Sequence, residues 1–293
     1  MVNYRAILTA LPLWCGQPVQ ITKLVGGGTN TNFVIATHGQ RFVARFQGPV
    51  QRKFMRLNRP QEIANTRVAH RLGIGPRVVA HYPKYNLLVV QFIGGTPLRK
   101  KALREPRNLR AAASILKKLH HSSSFHGHFA VLESIRYFWK LAKRDGKMLP
   151  GMRQADRVKF SRCAAVVRGR RYVPRSCHVD LMPLNFIGRR GSLKLIDWEY
   201  SALGDPLFDL AFLSAVGRFR PQDDAKFLYL YFGSVTTLLR QQFKAIKALV
   251  YLREALWGLT LLGRSPLPFN YQAYIRKNIR WFSTVPVPIV PKR

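Results

Sequence analysis

The hydrophobic pattern of this chain changes period once, at Gly94-Gly95-Thr96-Pro97, and that change constrains the fold more than any other feature. Before it, short runs rich in β-branched and aromatic residues alternate with turn residues. Strands are predicted at 21–25, 32–37 and 41–46, the last two joined as a hairpin through His38-Gly39-Gln40. A helix is predicted over 60–72, with Pro60 in its first turn and Ile63, Val68 and Leu72 at roughly helical spacing. The strand pattern resumes at 77–81 and 87–92. After the change, Leu109, Ile115, Leu116 and Leu119 mark a helix whose end carries Lys117, Lys118, His120 and His121, where cations suit the helix dipole. Further helices are expected at 132–144 and, as one or two, within 223–263. Phe186-Ile187 and 193–196 read as a small hairpin turning at Arg189-Arg190-Gly191. The expected class is α+β, with a small antiparallel-sheet N-lobe over 1–93 and a mostly helical C-lobe over 94–293. Pro286, Pro288 and Pro291 mark an irregular tail.

With 293 residues, 47% of them hydrophobic, the chain can bury a sizeable core, so disorder is excluded as the default. Forty-nine Lys and Arg against 13 Asp and Glu give a formal charge of +36, a field that attracts anions without choosing among nucleotides, nucleic acid and acidic lipid. The basic residues are spread along the chain, with short clusters such as Arg99-Lys100-Lys101 and no long basic arm, so no dedicated nucleic-acid partner is expected. Cys15, Cys163 and Cys177 are widely spaced and form no Cys-x-x-Cys pair, so neither a disulfide framework nor a zinc ribbon is indicated, and a cytoplasmic location is expected. The segment 6–14 reads as an ordinary N-terminal helix, because Pro12 and Trp14 spoil a signal-peptide reading. No run reaches the roughly 18 apolar residues of a membrane span.

Five of the 13 acids fall in one window: Asp180, Asp197, Glu199, Asp205 and Asp209. The segment His178-Val179-Asp180-Leu181-Met182-Pro183-Leu184-Asn185, followed after the hairpin by Leu195-Ile196-Asp197-Trp198-Glu199-Tyr200, has the protein-kinase spacing of a catalytic Asp, an Asn five residues on and a metal-binding Asp after an apolar strand. Phosphoryl transfer explains these residue types. The phosphates of ATP need a hard cation, and Mg²⁺ takes oxygen ligands such as Asn185 and Asp197 can supply. The attacking hydroxyl needs a carboxylate outside the metal shell to orient it and accept its proton, a position that Asp180 fills. The expected fold is therefore bilobal and protein-kinase-like, with ATP between the lobes.

These residues resemble the choline/ethanolamine kinase branch of the aminoglycoside-phosphotransferase-like kinases. The resemblance is strongest in His178 to Asn185, in the Asp197 segment and in Gly204-Asp205-Pro206-Leu207-Phe208-Asp209-Leu210-Ala211, and covers most of the chain. It implies Asp180 as catalytic base, Asn185 and Asp197 as Mg²⁺ ligands, and Asp209 as a brace for the catalytic loop. It also implies a nucleotide-covering turn at Gly26-Gly27-Gly28-Thr29-Asn30-Thr31-Asn32, with Gly27, Gly28, Thr29, Asn30 and Asn32 near the phosphates. Arg45, paired with Glu62, stands where typical protein kinases place Lys and choline kinases resemble this sequence in having Arg. Gln91 and Ile93 fall at the lobe junction, where such kinases hold adenine.

The expected acceptor is a small cationic alcohol, choline or ethanolamine, met by Glu199 and by aromatic faces, of which Trp257 is the principal candidate beside Tyr251 and Trp281. Thiamine kinase resembles the same Leu-Ile-Asp-Trp-Glu-Tyr segment and is an alternative. Aminoglycoside phosphorylation fits less well, because a polycationic drug wants an acid-rich pocket. A kinase-shaped binding protein using its basic surface on nucleic acid or membrane is the non-enzymatic alternative, and the intact Asp180, Asn185 and Asp197 set argues against it. His120, His121, His126 and His128 are explained by a helix end and a polar loop rather than a metal site.

Overall fold

The structure, a computed structural model, describes residues 2–24, 30–189, 192–266 and 269–287. The chain opens with helix α1 (Tyr4–Thr9), capped by Asn3, and a 3₁₀ turn at Pro12–Trp14. The helix expected over 6–14 therefore stops short of Pro12, which cannot continue it. Strands β1 (Gln20–Lys23), β2 (Asn30–Thr37) and β3 (Gln40–Gln47) follow, then a short α2 (Pro49–Phe54), α3 (Arg59–Arg71), β4 (Val78–Tyr82) and β5 (Leu87–Gln91). These five strands form one antiparallel sheet in the order β1-β2-β3-β5-β4. Leu8, Leu11 and Trp14 pack against Phe33, Ile35, Phe42 and Phe46, so the N-terminal segment closes one face of the sheet. The α3 helix starts where Asn58 accepts a hydrogen bond from Gln61 N, with Pro60 in its first turn.

The chain leaves the sheet through Gly94-Gly95. Gly95 has φ 142°, and a Cβ there would strike the backbone of Gly188, so only glycine allows this close approach. Beyond it lie β6 (Thr96–Pro97), α4 (Lys100–Leu103), α5 (Pro106–His120), α6 (Val131–Arg144) and α7 (Gln154–Arg168). Next come β7 (Arg175–Cys177), the hairpin β8 (Phe186–Arg189) and β9 (Ser192–Leu195), and β10 (Ala202–Gly204). The remaining helices are α8 (Pro206–Gly217), α9 (Pro221–Phe232), α10 (Thr237–Leu261) and α11 (Tyr271–Thr284). The 223–263 region holds two helices, separated at Gly233, and α2, α4, α7, α8 and α11 had no sequence expectation of their own. A second core, centred on α8 and α10, gathers Phe208, Phe212, Leu249, Leu252, Leu256 and Phe282. This is an α+β, kinase-like architecture.

Candidate active site

Two loops carry the acids, and hydrogen bonds hold the strained backbone of the first in shape. Val179 has φ 70°, a left-handed conformation costly for a β-branched residue, and Asp197 has φ 71°. Asp209 over-determines the first. Its carboxylate is fully buried at the start of α8 and accepts hydrogen bonds from the backbone N–H of His178 at 2.7 Å and of Val179 at 2.8 Å. It also lies 3.1 Å from His120 Nε2. Asp209 thus braces the loop, the role that the family resemblance implied. His178 Nε2 lies 3.0 Å from the carbonyl of Ile196, tying the Asp180 loop to the Asp197 loop. The neighbouring Asp205 is structural too: it caps α8 and pairs with Arg170 at 2.6 Å.

The 3₁₀ turn Pro183–Asn185 brings Asn185 back under Asp180, where Asn185 Nδ2 donates to the Asp180 carbonyl at 3.0 Å. That bond directs the amide oxygen away from the backbone it braces. Asn185 Oδ1 and the Asp197 carboxylate, the latter paired with Arg45, are both oxygen donors, the ligand type that a hard cation such as Mg²⁺ takes.

On the sheet side of the cleft three carboxylates are engaged by two guanidinium groups. Arg45, on β3, pairs with Glu62 of α3 at 2.5 Å, with Asp197, and with Glu199 at 3.4 Å. Arg59 secures the other oxygen of Glu62 at 2.6 Å, and Asn30 Nδ2 donates to Glu199 at 2.6 Å. Arg59 was not foreseen from the sequence. Glu199 therefore faces the Arg45 side of the cleft, with a side chain only 1% exposed. Asn32 lies opposite Arg45 in the β2–β3 register, and its buried amide oxygen has no hydrogen-bond partner among the described residues. Gln91 ends β5, its backbone N–H bonded to the Arg77 carbonyl at 2.8 Å, and Ile93 follows two residues later. Gly27, Gly28 and Thr29 lie outside the described residues.

Asp180 contrasts with that network. Its side chain is partly buried, and among the described residues no Arg, Lys or His forms an ion pair with it. Burial, then the charge of Glu254 and then that of Asp197, holds its carboxyl well above the usual carboxylate range. Glu254, on α10, is buried, accepts from the Tyr274 hydroxyl at 2.6 Å and pairs with Arg253 at 2.5 Å. Beside it stands an aromatic cluster. Trp257 Nε1 donates to the Tyr200 hydroxyl at 3.2 Å, and its ring lies 5.9 Å from that of Tyr274 and 6.2 Å from that of Tyr271. Glu254 and Tyr274 went unrecognised in the sequence because α10 and α11 bring them together only on folding. Tyr251 and Trp281 are elsewhere: their rings face each other at 5.4 Å, and the Arg218 guanidinium stacks on Trp281.

Residues 20–240 match the phosphotransferase enzyme family model. The chain belongs to that family. It is a phosphotransferase acting on an alcohol group, in the choline kinase-like branch of the protein-kinase-like superfamily. Protein LicA of Haemophilus influenzae is 24% identical over 257 residues, covering 86% of this chain and 96% of its own length. The choline/ethanolamine kinase family protein of Mesorhizobium loti superposes with a TM-score of 0.82 at 26% identity, over 96% of this chain and 92% of that one. Choline kinase LicA of Streptococcus pneumoniae superposes with a TM-score of 0.81 at 23% identity, over 96% and 99%, and a LicA structure in complex with AMP does so at 0.77. No described helix is long and apolar enough to cross a membrane.

Proposed function

We propose that this phosphotransferase moves the γ-phosphate of ATP to the hydroxyl of a small cationic alcohol, with choline as the foremost acceptor and ethanolamine next. The observation that carries the reading is the setting of Asp180: in a chain of charge +36, this partly buried carboxylate forms no ion pair among the described residues and lies beside a buried glutamate and an aromatic cluster. A pocket of that kind accepts a cation and gives its hydroxyl a base.

Asp180 would orient the acceptor hydroxyl and take its proton as the O–P bond forms. Asn185 and Asp197 would hold Mg²⁺, whose charge offsets that developing on the transferring phosphoryl group. Arg45 would grip the phosphates, and Asn30, Asn32, Gly27, Gly28 and Thr29 would cover them, with Glu62 positioning Arg45. Gln91 and Ile93 would present backbone groups to adenine, with the lobes dividing at Ile93. The AMP-bound LicA neighbour supports an adenine nucleotide.

For the acceptor, the geometry favours Glu254 over Glu199, because Glu254 acts on Asp180 more strongly and stands beside the aromatic cluster, while Glu199 faces Arg45 and Asn30. Trp257, Tyr200 and Tyr274 would supply the faces that attract a quaternary ammonium. ATP consumption across choline, ethanolamine, thiamine and an aminoglycoside, with Mg²⁺ and with EDTA, tests the reading. Choline should turn over fastest and EDTA should abolish turnover. A preference for the aminoglycoside would overturn it.

A further inference from the structure

Beside the Asp180 loop lies a cavity of about 380 Å³ with the opposite charge character. Four cations line it, Arg99, Lys100, Arg218 and Lys277, and among the described residues no carboxylate does. Its apolar wall includes Tyr251, Trp281, Leu98 and Val216. Elsewhere in the molecule buried cations are matched: Arg45, Arg59, Lys247 and Arg253 each face an acid. Here Arg99, Lys100 and Lys277 are exposed and Arg218 is half-buried; among the described residues none of the four forms an ion pair, and Arg218 Nε is buried with no hydrogen-bond acceptor. Arg218 is also placed there at a cost. It ends α8 in the left-handed region, φ 62°, a conformation that Gly or Asn adopts far more readily.

Two cations share one ring, since the Arg218 guanidinium and the Lys277 ammonium, the latter 4.9 Å from the ring centroid, both lie against Trp281. Burial, followed by the charges of Arg218 and Lys277, holds Lys100 below the ordinary lysine range, and burial followed by the charge of Arg218 does the same to Lys277. Like charges gathered around an apolar floor, one with an unmet donor, are relieved by an anion that also fills the floor.

We propose that this cavity is a binding site for a small amphipathic anion, a carboxylate or phosphate monoester on a flat aromatic or short acyl body. Its volume falls at the lower end of small-ligand pockets, about 300–1,000 Å³, which suits a body of one or two fused rings. The site borders the acceptor region directly: Tyr274 lines the cavity and hydrogen-bonds Glu254, and Met182, Pro183 and Leu184 of the Asp180 loop form part of its wall. An occupant therefore shifts acceptor affinity through Tyr274, a consequence that rests on the acceptor site proposed above.

Calorimetric titration with 1-naphthoate, hexyl phosphate, neutral 1-naphthamide and cationic 1-naphthylmethylamine tests the site without any turnover. The two anions should bind, the amide roughly tenfold more weakly for want of a charged head, and the amine not at all. Tighter binding of hexyl phosphate would assign the site to phosphate monoesters, and tighter naphthoate to aromatic acids. Lys277→Gln and Arg218→Gln, each checked for an unchanged melting curve, should each weaken the anion about tenfold. Arg162→Gln on α7 should leave it unchanged, which separates the cavity from the general positive field. Amide binding as tight as naphthoate, anion binding indifferent to both cavity variants, or no anion binding at all would overturn the proposal. With the site established by titration, naphthoate should alter the acceptor KM and spare that of ATP. An unaltered acceptor KM beside intact anion binding would count against Tyr274 as the link, and absent choline turnover against the acceptor reading alone.

Discussion

The two sides of the cleft handle negative charge in opposite ways. On the sheet side, Glu62, Asp197 and Glu199 converge on Arg45, with Arg59 and Asn30 completing the set. On the helical side, Asp180 forms no ion pair among the described residues, and the charge that acts on it most is another carboxylate, Glu254, ahead of the opposing charge of Arg253. The first arrangement holds two layers together and stabilises the fold through matched charge. The second raises the free energy of the ionised Asp180 and leaves it available for chemistry. Acidic residues close in sequence can thus serve opposite ends, and the surrounding cations, more than the acids themselves, decide which end each serves.

Removing the shared cation should break the sheet side most severely. Arg45→Met leaves three buried or partly buried carboxylates facing one another, and breaking such a pair typically costs about 3–5 kcal/mol. Urea unfolding should show a loss of that order together with lost nucleotide binding. A loss under about 1 kcal/mol would mean the network contributes little.

On the helical side, Glu254→Gln keeps an acceptor for Arg253 and Tyr274 but removes the charge. The acceptor KM should rise roughly tenfold while that for ATP stays put, the size of a lost charge-assisted contact. Asp180 loses the neighbour that raises its pKa, so the acid limb of the pH–rate profile should move to lower pH. A limb that stays in place would show that Glu254 does not act on Asp180. The smallest effect is expected of Trp257→Leu, which should raise the KM for choline roughly 2- to 30-fold, equivalent to about 0.5–2 kcal/mol of cation–π attraction. Ethanolamine, whose ammonium can also donate hydrogen bonds, should be less affected. Equal effects on both alcohols, or none on choline, would remove the ring from acceptor recognition.

The sheet, its hairpin and the two acid-bearing loops were legible in the sequence because their signals are local: alternation, turn residues and a fixed Asp/Asn/Asp spacing. Most of the helices without an expectation lacked such a signal. In α8 nearly every residue is buried, so no apolar stripe distinguishes it, while α7 buries little beyond Asp156, Cys163 and Ala164. Helix α11 did carry a signal, with Tyr271, Ile275, Ile279 and Phe282 buried at helical spacing. The acceptor end was the least legible part. Glu254, Tyr274 and Tyr200 come from three separate segments, and nothing in their spacing announces that they meet. Glu199 illustrates the converse, since proximity in sequence to Asp197 placed it in the cleft but could not tell which side it faces.

The most direct test of the contrast is Asp180→Asn, followed by both thermal unfolding and phosphoryl transfer to choline. Because the folded-state pKa of Asp180 is raised, its ionised form costs stability at neutral pH. That cost is absent below about pH 4, where the unfolded chain is also protonated, and grows as pH rises toward the folded-state value. The account predicts a variant at least as heat-stable as the parent at pH 8, with nucleotide affinity retained and transfer reduced by about 10²–10⁴-fold. A variant that melts lower yet transfers phosphate at the parental rate would contradict it, and would make Asp180 a structural acid like Glu62.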